Sequence, residues 1–207
     1  AMRRTFEEAG IVFMFAPLMH PAMRHVGPVR RELAIPTVMN VVGPLANPAR
    51  AGRQVVGVAD RDRAPILASA LLALGAVHAL VVHGEPGLDE VSPLGLTHVL
   101  EVREGRTAGW TIDPKTFGFD SIDARDLEGG DSAENASIIE DVLAGKGKTG
   151  ARAAVILNAA AAIYVSGQQS DYDVAVGAAT ASLDTGNAKA VLDKLRTAYL
   201  TTDRARA

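Results

Sequence analysis

The sequence predicts an α/β fold: a mostly parallel sheet flanked by helices, with a β-hairpin insertion and a helical C-terminal third. Three observations carry that prediction. Two β-branched runs, 54–59 and 77–83, flank a helical stretch in the strand–helix–strand order of a parallel pair joined by a crossover. Two extended runs meet at Glu104-Gly105, as in a hairpin. Apolar residues make up 48% of the chain and aromatics only 4%, so the core must come from Ala, Val, Leu and Ile, which suits helices close-packed on a sheet.

Residues 3–10 read as the last turns of a helix stopped by Gly10, and Ile11-Val-Phe-Met-Phe15 as a strand buried on both faces. Ala16-Pro17 ends that strand, and His20-Pro21 opens a helical stretch that Gly27-Pro28 kinks or splits. After the strand at 54–59, Asp60 or Asp62 caps a helix with Pro65 in its first turn. Leu67, Leu71 and Leu74 share one face, and Gly75 ends it. The second strand, 77–83, runs into the loop Gly84–Pro93, at the sheet edge where open α/β folds place ligands. The hairpin takes 97–101 and 106–112, and 113–130 is irregular with Phe117, Phe119 and Ile122 as anchors. Asp131 and Glu134 form a capping box for a helix closed by Gly145. A nearly all-apolar helix follows at 151–166, then helices at 171–185 and 187–199 separated by Gly186, and a tail from Thr201 that frays. With no linker, repeat or low-complexity segment, residues 1–207 read as one α/β domain.

Several functions are argued against. No cysteine means no disulfide, no thiolate metal site and no cysteine nucleophile, and no Ser/His/acid set stands in convincing order. A net charge of −3 gives no footprint for nucleic acid. No run reads as approaching the roughly 18–20 apolar residues that cross a bilayer, and the start lacks a signal-peptide core, so the expectation is a cytoplasmic protein with no membrane partner. Lys146-Gly-Lys-Thr-Gly150 lacks the first glycine of a phosphate loop and has no strand before it.

The densest chemistry lies in 20–48. Arg24, Arg30, Arg31, His20 and His25 fall within twelve residues, followed by an apolar run ending at the turn Gly43-Pro44. A basic helix feeding a tight apolar loop suits a small, flat, anionic ligand, with charge at one end and a hydrophobic wall along its face. Arg30 and Arg31 stand about 100° apart on a helix, so only one can face that loop.

With His20-Pro-Ala-Met, Val29-Arg-Arg-Glu-Leu, Thr37-Val-Met-Asn, Gly43-Pro-Leu-Ala-Asn-Pro48, His83-Gly and Gly87-Leu-Asp-Glu90 in this order, the chain resembles the anthranilate phosphoribosyltransferases. The likeness runs from about Gly10 to Tyr199, including Leu157-Asn-Ala-Ala-Ala161 and Asp184-Thr-Gly-Asn-Ala188. Ala34 and Met39 stand where the family usually has Gly and Phe. The family's helical N-terminal domain, its Gly-Thr-Gly-Gly-Asp loop and its Lys-His-Gly-Asn segment precede the part matched here, so the chain reads as the C-terminal α/β portion of a larger phosphoribosyltransferase.

The resemblance implies transfer of the 5-phosphoribosyl group from phosphoribosyl pyrophosphate to the amine of anthranilate, in tryptophan biosynthesis. It implies Arg30 on the anthranilate carboxylate, where a guanidinium fork matches two oxygens. It places Pro44 and Gly43 against the aromatic ring and His20 at the acceptor site. It implies Asp89 and Glu90 as the ligands of Mg2+, a hard ion that takes one or two carboxylates and completes its shell with water and substrate phosphates. No side chain is implied as a covalent catalyst. Arg24, Arg31 and His83 have no assigned role, His83 reading either as a group that supports the site or as a satisfied histidine at a strand end, and His25, His78 and His98 read as structural. The full-length family is a homodimer. This portion alone is expected to be inactive, and monomeric or associated through uncovered apolar surface. Two other readings stand beside this one: glycosyl transfer of the pyrimidine nucleoside phosphorylase kind, and a non-catalytic paralogue that binds nucleic acid.

Overall fold

A computed structural model of the chain describes residues 2–20, 32, 43 and 45–204. In chain order the elements are helices α1 (Met2–Ala9) and α2 (Ala16–Met19), strand β1 (Arg53–Gly57), helix α3 (Ala64–Ala73), and strands β2 (His78–Gly84), β3 (Thr97–Arg103) and β4 (Arg106–Ile112). Helices α4 (Ser132–Leu143), α5 (Thr149–Ser166), α6 (Tyr172–Asp184) and α7 (Asn187–Arg204) follow. The chain, read from sequence as one domain, resolves into two compact units: 1–48 with 186–207, and 49–185.

In the first unit, α1 packs on α7 and buries Thr5 and Ala9. Its outer face is tied by Arg3–Glu7 and Arg4–Glu8 pairs one turn apart. Gly10, at φ 75°, ends the helix. The buried strand expected at 11–15 is not formed. The segment has no ladder partner among the described residues, and Ile11, Phe13 and Phe15 are 47%, 69% and 50% exposed. β-branched and aromatic residues favour a pleated surface, but a strand exists only against a neighbour. A short helix, α2, forms at Ala16–Met19 where the sequence placed the end of the strand, and the helical stretch expected from His20-Pro21 onward lies outside the described residues. The kink expected at Gly27-Pro28 lies outside the described residues.

The second unit is built on a sheet in the order β1-β2-β3-β4. The mostly parallel sheet expected from the sequence is corrected over the described strands: β1 and β2 are parallel, while β2–β3 and β3–β4 are antiparallel. The hairpin is no separate insertion but continues the sheet. Its tip, Glu104-Gly105, has φ of 53° and 73°, the left-handed pair that matches the twist of a two-residue hairpin turn. The expected crossover is α3, whose Leu67 and Leu71 are buried, whereas Leu74 is exposed. Every residue of β2 is buried except His83, which is half-buried, so β2 is the spine of the unit.

Helix α5 packs on β1 and β2 and against α6. Contrary to the sequence reading, this helix has the length and composition to cross a membrane: 18 residues, mean hydropathy 1.3. Its face of Ala153, Ile156, Leu157, Ala160 and Ala161 is buried in the protein, as in the core helix of a globular unit. Its first turn, at the Lys146–Gly150 segment that the sequence argues is no phosphate loop, is already served. The Gly150 amide donates to Asp126 Oδ2 at 2.9 Å, and Lys148 Nζ to the Arg125 carbonyl at 3.2 Å. Asp131 caps α4 through the amides of Ala133 and Glu134, and Asp171 caps α6 through those of Asp173 and Val174.

Candidate active site

The parallel pair sets the site. β1 and β2 finish at Gly57 and Gly84, side by side near their carboxyl ends. Just beyond, the chain doubles back. The Leu88 amide donates to the Gly84 carbonyl at 2.7 Å and the Gly84 amide to the Leu88 carbonyl at 2.9 Å, with Gly87 at φ 134° making the turn. Asp89 and Glu90 then pass over the strand ends. A Cβ on Gly57 would stand 1.6 Å from the Asp89 carbonyl oxygen, and one on Gly84 2.6 Å from that of Glu90. Only glycine fits beneath this crossing.

Past the acid pair the chain is buried again. Val91 is closed off by Asn158 of α5, whose Oδ1 accepts from the Val91 amide and whose Nδ2 donates to the Val91 carbonyl, both at 2.9 Å. The second Nδ2 hydrogen goes to the Ala154 carbonyl at 3.0 Å. Ser92 Oγ donates to the Glu85 carbonyl at 2.5 Å, and the Ser92 amide donates to Thr97 Oγ1 at 2.9 Å. The loop is therefore held at several points, while the carboxylates of Asp89 and Glu90 are exposed and have no hydrogen-bond or ion-pair partner among the described residues. Two adjacent oxygen donors with no basic side chain on them among the described residues suit a hard divalent cation that keeps much of its water. Among the described residues no group of three or more His, Cys, Asp or Glu could hold a metal.

Beside the crossing, His83 Nδ1 lies 2.9 Å from the Val58 carbonyl. A carbonyl can only accept, so Nδ1 carries the proton of that bond. The His83 ring stacks at 6.5 Å on His98, over a cavity of about 400 Å³ that Arg61, Pro65, Leu100 and Thr111 also line.

Of the acceptor residues expected from the sequence, Arg30 and Pro44 lie outside the described residues. His20 is half-buried, with no partner among the described residues, and Gly43 is exposed with helical backbone and open space where a Cβ would sit. Both belong to the first unit, Asp89 and Glu90 to the second. Asn158 received no role from the sequence, although it is the one polar residue between Ala153 and Ile163 in an apolar helix, which was signal enough to ask what it bonds.

Over residues 1–189 the sequence matches the profile of the Glycosyl transferase family, a/b domain. The chain belongs to that family. Its relatives in the glycosyl transferase family include the anthranilate phosphoribosyltransferase of Anaeromyxobacter sp. (strain K), 48% identical over 194 residues, which are 94% of this chain and 57% of that protein. Among solved structures, the anthranilate phosphoribosyltransferase of Thermus thermophilus superposes with a TM-score of 0.86 at 39% identity, over 94% of this chain and 59% of that one. The Saccharomyces cerevisiae enzyme in complex with PRPP and Mg does so with a TM-score of 0.78 at 30% identity, over 88% and 52%. This glycosyl transferase domain thus spans a little over half the length of the proteins it matches.

Proposed function

We propose that the chain carries the acceptor and metal elements of an anthranilate phosphoribosyltransferase, transferring the 5-phosphoribosyl group of phosphoribosyl pyrophosphate to the amine of anthranilate. The observation that carries this reading is the Asp89–Glu90 crossing, set on two glycines at the carboxyl edge of a parallel pair in a chain 48% identical to such an enzyme. The Saccharomyces cerevisiae relatives solved with 4-fluoroanthranilate and with PRPP and Mg support the same substrate classes.

In the reaction a C–N bond forms at the sugar carbon as the C–O bond to pyrophosphate breaks, and the amine gives up a proton. Arg30 grips the anthranilate carboxylate, Gly43 and Pro44 wall the ring, and His20 borders that site. The amine is thereby held in line without a covalent intermediate. Asp89 and Glu90 are the residues that would hold Mg2+, which when bound neutralises charge on the departing pyrophosphate. This reading places the work in the cytoplasm, within tryptophan biosynthesis, and makes the full-length protein a homodimer.

The test is a chimera joining this chain to the N-terminal part of the Thermus thermophilus relative. Transferase turnover is expected in the chimera and none in the 207-residue chain alone. Arg30→Ala should raise KM for anthranilate, and Asp89→Asn with Glu90→Gln should lower kcat/KM by on the order of a hundredfold. A folded chimera that transfers phosphoribosyl groups equally well with all three residues replaced refutes the assignment.

A further inference from the structure

We propose that Asn158 is a positioning residue for the acid pair, a proposal that rests on the reading of Asp89 and Glu90 as the ion-holding residues. The two acids are a two-residue span between two anchors. On one side Leu88 exchanges both backbone hydrogen bonds with Gly84, the last residue of β2. On the other, the Asn158 amide does for Val91 what a neighbouring strand would do, meeting its N–H and its C=O at 2.9 Å each. The clamp is itself locked. The remaining Nδ2 hydrogen is spent on the Ala154 carbonyl one turn back, so the amide cannot flip without facing donor against donor and acceptor against acceptor.

What this does follows from geometry. Val91 is 0% exposed and its neighbour Glu90 is exposed, so the chain passes from core to solvent within one peptide. Two flexible carboxylates on an unanchored loop would lose conformational freedom on closing around an ion. Fixing the backbone on both sides removes that cost in advance. Gly57 and Gly84 clear the floor, Leu88 sets the entry and Asn158 sets the exit. Asn158 therefore acts on the ion through the backbone of Val91 and touches neither ion nor substrate.

The test uses Mn2+ as the probe, titrated into the 207-residue chain and followed by water-proton relaxation. Four chains are compared: unaltered, Asn158→Ala, Asp89→Asn with Glu90→Gln, and all three changes together. Asn158→Ala is expected to weaken Mn2+ about tenfold, as the loss of a supporting partner does at other metal sites. It should add nothing once the acids are gone. Unchanged affinity in Asn158→Ala, or an equal loss with and without the acids, overturns the proposal. Equal affinity in the unaltered and acid-free chains overturns the acid-pair reading instead, and that arm alone separates the two failures. Asn158→Asp keeps an acceptor for the Val91 amide and guards against a variant that fails to fold. It should fall between the other two in Mn2+ affinity and in hydrogen exchange at Val91, and unaltered values on both counts tell against the clamp.

Discussion

The Tyr164 hydroxyl donates to Glu101 Oε1 at 2.9 Å, pinning α5 to the middle of β3. The same carboxylate lies 2.8 Å from His78 Nε2 and accepts from Trp110 Nε1 at 2.9 Å. Since a carboxylate only accepts, His78 holds its proton on Nε2. The Glu101 side chain is only 12% exposed, so the acid is worth more as an acceptor for three donors than as a charge.

Removing that acceptor should therefore cost more than a surface carboxylate would. Glu101→Ala leaves three donors unmet, and an expected loss of about 3 kcal/mol follows from the desolvation each then suffers. Glu101→Gln keeps one acceptor oxygen and should lose roughly half as much. Denaturant midpoints at constant m-value measure both.

Alkaline pH should loosen the same face of the sheet. The Tyr172 hydroxyl is buried and donates to the Leu157 carbonyl at 2.9 Å. Burial, then the neighbouring Asp173 charge, pushes its ionisation well above the ordinary value of 10.0. Tyr164 is raised too, by burial and by its bond to Glu101. A raised phenol is neutral in both folded and unfolded chains below pH about 10, where its contribution is complete; above that the unfolded chain ionises first and stability falls. Unfolding free energies measured from pH 8 to 11 should decline above 10, and Tyr172→Phe, weaker at pH 8 by about 1 kcal/mol, should decline less.

Two glycines should answer an added methyl with opposite signs. Gly57→Ala drives a carbon into the Asp89 backbone and is expected to destabilise by about 2–3 kcal/mol, the range of overpacking. Gly177, inside α6, has nothing within 4 Å of its would-be Cβ. Gly177→Ala should stabilise by about 0.5–1 kcal/mol. Thermal unfolding of the pair decides it.

Ile11, Phe13 and Phe15 are exposed together in a segment without a ladder partner among the described residues, an apolar surface that a second chain can cover. The chain by itself is expected to associate as its concentration rises, and Phe13→Lys to shift it toward monomer. Light scattering across a concentration series reads this out, and identical curves for both chains contradict it.

Much of the second unit was legible from local signals. The cap at Asp131, the stop at Gly75 and the hairpin tip at Glu104-Gly105 depend on neighbours in sequence, and the structure places them where those neighbours require. Sheet direction was less so. The loop from Gly84 to Leu96 returns β3 antiparallel, and periodicity in a strand carries no sense of direction. Ile11–Phe15 misled for a related reason, since its composition records a preference for a partner that the described residues do not supply. At the site, the acids and glycines were visible as a loop, but the hold of Asn158 on Val91 joins residues far apart in the chain, and only the fold brings them together.

The carboxylate of Asp126 already takes the Gly150 amide. A nucleotide or free phosphate drawn to the Gly-Lys-Thr lettering at the start of α5 would find the seat taken by an anion tethered to the same chain. It could dock only by evicting that tenant. Helix polarity there is spent inward, on fastening the turn at 124–127 to α5.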